Sequence, residues 1–223
     1  MFGPHPDDLE IGLGGSIAKH VALGHTVGLC DLTRGEMGTN GTPDERVAEA
    51  EAARVVLGAL SRDNLGLPDG DLGGDPSHLR DVVACIRRMK PKTIAAPHGG
   101  DRHPDHVAAH QLLTRAAFLS GLSRYGAPGH NWRPDWLLYY FINDSAPPSF
   151  VVDVSATYEK KRAALACHRS QFEPATGTAT RLTSPRFRQL IESRDAQFGA
   201  LIGVDFAEGV ITREPITRQT LLK

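Results

Sequence analysis

Apolar positions along this chain alternate between a strand-like and a helix-like spacing. HTVGLCDL (25–32) is a short apolar run rich in β-formers, which predicts a buried strand. TPDERVAEAEAARVVLG (42–58) carries helix punctuation: Thr42 as N-cap, Pro43 at N1, Glu45 completing a capping box, and Gly58 at the stop. In HLRDVVACIRRMK (78–90), Leu79, Val82, Val83, Ile86 and Met89 share one helical face. TIAAPH (93–98) predicts a strand, and 103–121 a helix opening with Pro104 at N1. Strands over 136–142 and 150–154 and helices over 157–172 and 184–203 complete the pattern. Such alternation implies an α/β chain: one Rossmann-like three-layer sandwich over 1–223, its sheet mainly parallel, with helices on both faces. The Gly-, Pro- and Thr-rich segments 121–135 and 173–183 are expected to be mobile loops near a site. Only Met1 and Phe2 precede Gly3, so the first strand is expected to be a truncated stub that supports the following turn weakly.

Composition changes this picture little. The chain has 223 residues, 40% hydrophobic and 23% charged, which is ordinary for a globular domain. A net charge of −1 offers no field to draw in nucleic acid or a membrane surface. No apolar run approaches the roughly 20 residues needed to span a bilayer. Cys30, Cys85 and Cys167 stand alone in apolar segments. They read as small buried hydrophobes in a reducing compartment, and the default is cytoplasmic.

The chemistry concentrates in two turns. HPDD (5–8) follows the first strand, and HPDH (103–106) closely follows the strand at 93–98. Ligands of a doubly wound sheet bind beyond the C-terminal strand ends where the strand order reverses, and that topology brings the two turns together. His and Asp are zinc ligands, and a catalytic zinc usually keeps three protein ligands and an open position. The candidates are His5, Asp7 and Asp8 from the first turn, with His103, Asp105, His106 and His110 from the second. His106 and His110 are an i, i+4 pair, although no Glu lies between them in the HExxH manner. Arg46 falls in the first turn of a strongly capped helix, where a cation opposes the helix dipole. A role in binding sugar hydroxyls or a carboxylate would account for it. EIGLGG (10–15) fails the nucleotide fingerprint because its third glycine would fall at Ile17; Gly14 and Gly15 are read as letting the loop approach helix and metal.

GPHPDDLEIGLGG, TRGEMGTNG, LGLPDG and HPDH, in this order, resemble the LmbE-like (PIG-L) zinc deacetylases. YEKKRAALACHRSQF and ESRDAQFGALIGVDFAEGVITREPI are similar to the branch acting in bacillithiol synthesis, which deacetylates N-acetylglucosaminyl malate. The resemblance implies an LmbE-like fold, one Zn2+ or another divalent cation per subunit, and a small-molecule N-acetylglucosaminide as substrate. It also implies a homo-oligomer, commonly a hexamer. His5, Asp8 and His106 become the metal ligands, Asp7 the general base, His103 the electrophile or acid, and Arg46 a substrate residue. His103 would meet the oxyanion as an imidazolium, with Asp105 fixing its tautomer. Arg102, Arg169 and Arg194 are open candidates for the malate carboxylates. The competing readings are a deacetylase of chitooligosaccharide or inositol-linked sugar and, from another class, a nucleotide-binding Rossmann-type protein.

Overall fold

The computed structural model describes residues 1–175, 177–217 and 220. Its strands are β1 (Phe2–Gly3), β2 (Gly28–Thr33), β3 (Ser61–Leu67), β4 (Thr93–Pro97), β5 (Trp136–Tyr140), β6 (Phe150–Asp153) and β7 (Ala207–Thr212). The helices are α1 (Asp8–Ala22), α2 (Pro43–Leu57), α3 (Pro76–Met89), α4 (Pro104–Leu119), α5 (Tyr158–Cys167), α6 (Arg169–Phe172) and α7 (Pro185–Ala200). β1, β2 and β3 form one parallel ladder. The second ladder runs β4-β5-β7-β6, parallel at β4–β5 and antiparallel on both sides of β7. β1 lies beside β4, so the two ladders meet where the strand order reverses.

Alternating residues within each strand assign the two cores. Cys30, Leu32, Ile94, Ala96 and Tyr139 pack towards α3 and α4. Leu29, Ala95, Tyr140 and Val210 pack towards α1, α2, α5 and α7. α2 starts and stops as its sequence dictates: the Thr42–Glu45 capping box is formed reciprocally, and Gly58 closes the helix in the left-handed conformation at φ 77°. Of the α3 face, Leu79, Val82, Val83 and Ile86 are buried, but Met89 at the helix end remains 38% exposed.

Several expectations need correction. The helix expected over 157–172 is broken at His168 (φ −80°, ψ 57°) into α5 and α6. Residues 8–22, where no helix is predicted, form α1 with a kink at Leu13. β3 and β7 lie outside the predicted strands. β3 is mostly polar, and its Arg62 turns inward to bond Asp31 and Glu10. The short β1 is nonetheless well supported. Phe2 is buried, its carbonyl accepts from Tyr140 Oη at 2.9 Å, and the Pro4 carbonyl accepts from Thr33 N and Oγ1, both at 3.0 Å. Segment 121–135 lies away from the C-terminal strand ends. Trp132 bonds Pro91 O, Asp135 bonds Lys92 O, and Arg87 gathers the carbonyls of Leu122, Tyr125, Ala127 and Gly129. Cys30 and Cys85 are buried, but Cys167 is only half-buried.

Candidate active site

Both turns open at the C-terminal ends of β1 and β4, at the floor of a cavity of about 430 Å³. Asp7 stands at the N-cap of α1, yet its side chain makes no capping bond. Its backbone takes φ 125°, ψ −26°, a region costly for a residue with a Cβ. The geometry frees the carboxylate to face the cavity instead of the helix. Asp8, the next residue, turns inward. Its Oδ2 lies 3.1 Å from His5 Nδ1 and 3.4 Å from His106 Nε2, and accepts the His5 amide at 2.9 Å. One donor atom each from His5, Asp8 and His106 falls within 4.8 Å of the others, and all three residues are buried.

Each imidazole is backed by carboxylate on its far nitrogen. His5 Nε2 lies 3.0 Å from Asp69 Oδ1 and 3.3 Å from Asp105 Oδ2. His106 Nδ1 lies 3.0 Å from Asp101 Oδ1, and Asn143 holds Asp101 through its backbone N (3.0 Å) and Nδ2 (3.1 Å). Carboxylate–histidine pairs of this kind orient metal-binding imidazoles and fix their tautomers. The donor set therefore fits a divalent cation held by His5, Asp8 and His106. Sequence reasoning missed Asp69, Asp101 and Asn143. The first two stand in LPDG and GGDRHPDH, but nothing in their spacing says which histidine they face.

Electrostatics follow from this crowding. Burial disfavours a charged His5, but hydrogen bonds to Asp105, Asp69 and Asp8 outweigh it and hold its pKa well above the ordinary value. Burial likewise opposes charge on His106, and Asp8 with Asp101 carries its pKa to about 9. Asp8 resists burial because His106 and His5 keep it well below the usual carboxylate range. For Asp7 burial wins: its pKa is pushed up to about 6 against the pull of Arg46, with Asp8 adding to the rise.

His103 caps α4, and its Nδ1 accepts the Asp105 amide at 3.2 Å. That bond leaves Nε2 to carry the proton of a neutral ring. Burial, and then the charges of His5 and His106, hold its pKa below the ordinary value. Both features disfavour the imidazolium expected here. The tautomer is fixed by the Asp105 backbone, while the Asp105 carboxylate serves His5 and the Gly70 amide. Arg46 lines the cavity, but Nη1 is committed to Gly35 O (2.9 Å) and Nη2 to Pro6 O (3.0 Å), with Asp7 Oδ2 at 3.4 Å. It ties the HPDD turn to α2, and those carbonyls offset its unfavourable place in the first helical turn.

Other candidates separate by position. His110 bonds Pro97 O and packs against Tyr139, outside the cavity lining. Arg194 is spent on the carbonyls of Ile11, Phe141 and Ile142, and Arg169 is exposed outside the cavity lining. Arg102 does line it, as does Arg181 from the 173–183 segment. Gly14 and Gly15 are small for a different reason than expected. A Cβ at Gly14 would lie 2.9 Å from Lys161 Cγ, and one at Gly15 2.7 Å from Val154 Cβ. They let α1 approach α5 and the Val154 turn.

A family model described as PIG-L, GlcNAc-PI de-N-acetylase, matches residues 1–117, which hold every side chain of the trio and its backing carboxylates. The chain belongs to the PIG-L family. A PIG-L relative named diacetylchitobiose deacetylase, from Thermococcus kodakarensis, is 29% identical over 93% of this chain and 79% of its own length. A Streptomyces avermitilis relative, named 1D-myo-inositol 2-acetamido-2-deoxy-alpha-D-glucopyranoside deacetylase, is 33% identical over 52% of this chain and 51% of its own. The chain thus spans about half the length of that enzyme. Among solved structures, the conserved protein TT1542 from Thermus thermophilus superposes with a TM-score of 0.90 and 37% identity, covering 100% of this chain and 97% of that one. Membership of the PIG-L family replaces the nucleotide-binding reading. Among the described residues no helix is long and apolar enough to cross a membrane.

Proposed function

We propose that this chain is a divalent-metal-dependent deacetylase that hydrolyses the acetamido bond of an N-acetylglucosaminide, with zinc as the ion and N-acetylglucosaminyl malate as the preferred substrate. The observation that carries this reading is the convergence of His5, Asp8 and His106 beside an Asp7 carboxylate that caps no helix amide and lines the cavity. When bound, a divalent cation supplies Lewis-acid polarisation of the acetyl carbonyl and lowers the pKa of water in its shell to about 7. The protein supplies the proton traffic and the orientation. Asp7, with its pKa lifted by burial to about 6, takes a proton from the attacking water near neutral pH. His103 offers its Nε2–H to the oxygen on which negative charge develops, a donor worth about 3–4 kcal/mol in comparable sites. Arg46 holds the Pro6 carbonyl and flanks Asp7, which keeps the base in place.

The cavity volume suits a sugar with a small acceptor group. Arg102 and Arg181 line it, and their guanidinium groups make no hydrogen bond or ion pair among the described residues. Arg181 lies 5.4 Å over the Phe187 ring, and guanidinium groups that make no ion pair at a cavity suit carboxylates, which supports the malate conjugate together with the similarity of the C-terminal segments. A second reading, a chitobiose-type substrate, is favoured by the match to the Thermococcus enzyme over most of the chain. Acetate release from malate-linked, inositol-linked and chitobiose substrates, with the zinc-loaded protein, separates these. Highest kcat/KM on the malate conjugate is expected. A preference for chitobiose would overturn the choice of acceptor, and no acetate from any of the three would overturn the deacetylase reading.

A further inference from the structure

The stretch TRGEMGTNG contributes Met37, Gly38 and Thr39 to the cavity lining, but its Asn40 does not reach the cavity. Asn40 is 7% exposed and is bound on every side. Its Nδ2 donates to Thr178 O at 2.8 Å, and its Oδ1 accepts from Thr178 N at 2.9 Å. Its backbone carbonyl accepts from Gln171 Nε2 at 2.6 Å, and Gln171 is itself a lining residue. The Asn40 amide thus pairs with the Thr178 peptide as a neighbouring strand would. No other residue type of this size offers one donor and one acceptor in a plane; aspartate, its isostere, keeps only the acceptor.

Thr178 belongs to the segment that brings Thr180, Arg181 and Leu182 to the cavity. Among the described residues between 174 and 183, the bonds to Asn40 are the only hydrogen bonds made to a distant part of the chain; the others are local, between Thr180 and Thr183 or from Ser184 back to Arg181. The fit is close on both sides of the clasp. A Cβ at Gly177 would lie 2.7 Å from Asn40 Oδ1, and one at Gly41 would lie 2.6 Å from Ser170 Oγ. Ser170 is in turn fixed to α2 by Glu49, through its amide and its hydroxyl, each at 2.7 Å. The wall carrying Arg181 is therefore referenced to α2 and the HPDD turn through one buried amide.

We infer that Asn40 is a specificity-determining positioning residue: it clasps the Thr180–Leu182 wall to the Met37–Thr39 wall and so sets how well the cavity grips the acceptor group beyond the N-acetylglucosamine ring. The inference rests on the deacetylase reading for its substrate, but the clasp itself is testable without it. Asn40→Ala loses both bonds to Thr178, while the isosteric Asn40→Asp loses one and sets a carboxylate oxygen against the Thr178 carbonyl; in each, KM for an acceptor-bearing N-acetylglucosaminide rises roughly tenfold or more. On N-acetylglucosamine alone kcat/KM stays within about twofold, because the acceptor wall is not engaged, and zinc content is unchanged. Trypsin cleavage after Arg181, mapped by mass spectrometry below the melting temperature of each variant, becomes faster as the segment loosens. Equal loss on both substrates would overturn the inference, as would an unaltered cleavage rate at Arg181 in both variants. If the wild-type protein releases acetate from neither substrate, the deacetylase reading fails while the cleavage result still decides the clasp.

Discussion

Two buried clusters of charged side chains flank α1, and they are balanced in opposite ways. In the first, Lys161 Nζ lies 2.6 Å from Asp195 Oδ2 and 2.7 Å from Glu208 Oε1, and Arg194 Nε bonds Asp195 Oδ1 at 3.0 Å. Two cations meet two carboxylates, and every group is buried. Glu208 also accepts the amides of Gly15 and Ser16, at 2.9 and 2.7 Å, which fastens α1 to β7. The second cluster, at the start of α1, brings together Asp7, Asp8, Asp69, Asp101 and Asp105, and Arg46 is the permanent cation beside them. The deficit is met by His5 and His106, whose pKa values are raised. A closed cluster with its own cations is a structural joint. An open one that borrows protons has the chemistry to take an ion, since a metal would take the place of those protons.

The contrast can be broken in several ways, from the largest effect downwards. Asp7→Asn removes the base but no proposed ligand, so kcat should fall about 10²–10⁴-fold while zinc affinity holds within severalfold; equal loss of zinc would make Asp7 part of the ion site. Lys161→Met leaves buried Glu208 without a cation and Asp195 with Arg194 alone, and should cost about 3–5 kcal/mol in urea unfolding. A cost below about 1 kcal/mol would mean the first cluster is no joint. Asp101→Asn leaves His106 in place but unsupported, and zinc affinity measured by chelator competition should drop about 10–100-fold with little change in stability. The last effect is set by pH. His106 must shed its proton to bind metal, and its pKa lies at about 9. Below that value protons compete at His106, and the raised pKa of His5 adds its own competition, so affinity should strengthen about tenfold per pH unit for each imidazole that still holds a proton. A flat affinity between about pH 6.5 and 8.5 would show that the ion displaces no proton from these imidazoles.

How much of this was legible in the sequence follows from which signals are local. The capping box of α2 and the prolines opening α2 and α4 act within a few residues, and both helices begin where those signals place them. The two turns HPDD and HPDH could be paired from sequence because topology alone brings them together. β3 is hidden because Arg62, Asp63 and Asn64 give it a polar surface, and Arg62 is buried only through Asp31 and Glu10, partners more than 30 residues away in the chain. α1 is hidden because its three glycines weaken the helical signal. They let Tyr140, Lys161 and Val154 come close, contacts that arise only once the chain has folded. The backing carboxylates Asp69 and Asp101 stand in plain motifs, but which imidazole each would face is a three-dimensional fact.

Isothermal titration of Zn2+ into the metal-free protein at neutral pH, repeated in buffers of different ionisation enthalpy, tests the central claim most directly. One ion per chain should bind with release of close to two protons, and His106→Ala should abolish the tight site. Unchanged affinity in His106→Ala would contradict the claim that His5, Asp8 and His106 hold the ion, and binding without proton release would contradict the claim that it replaces protons there.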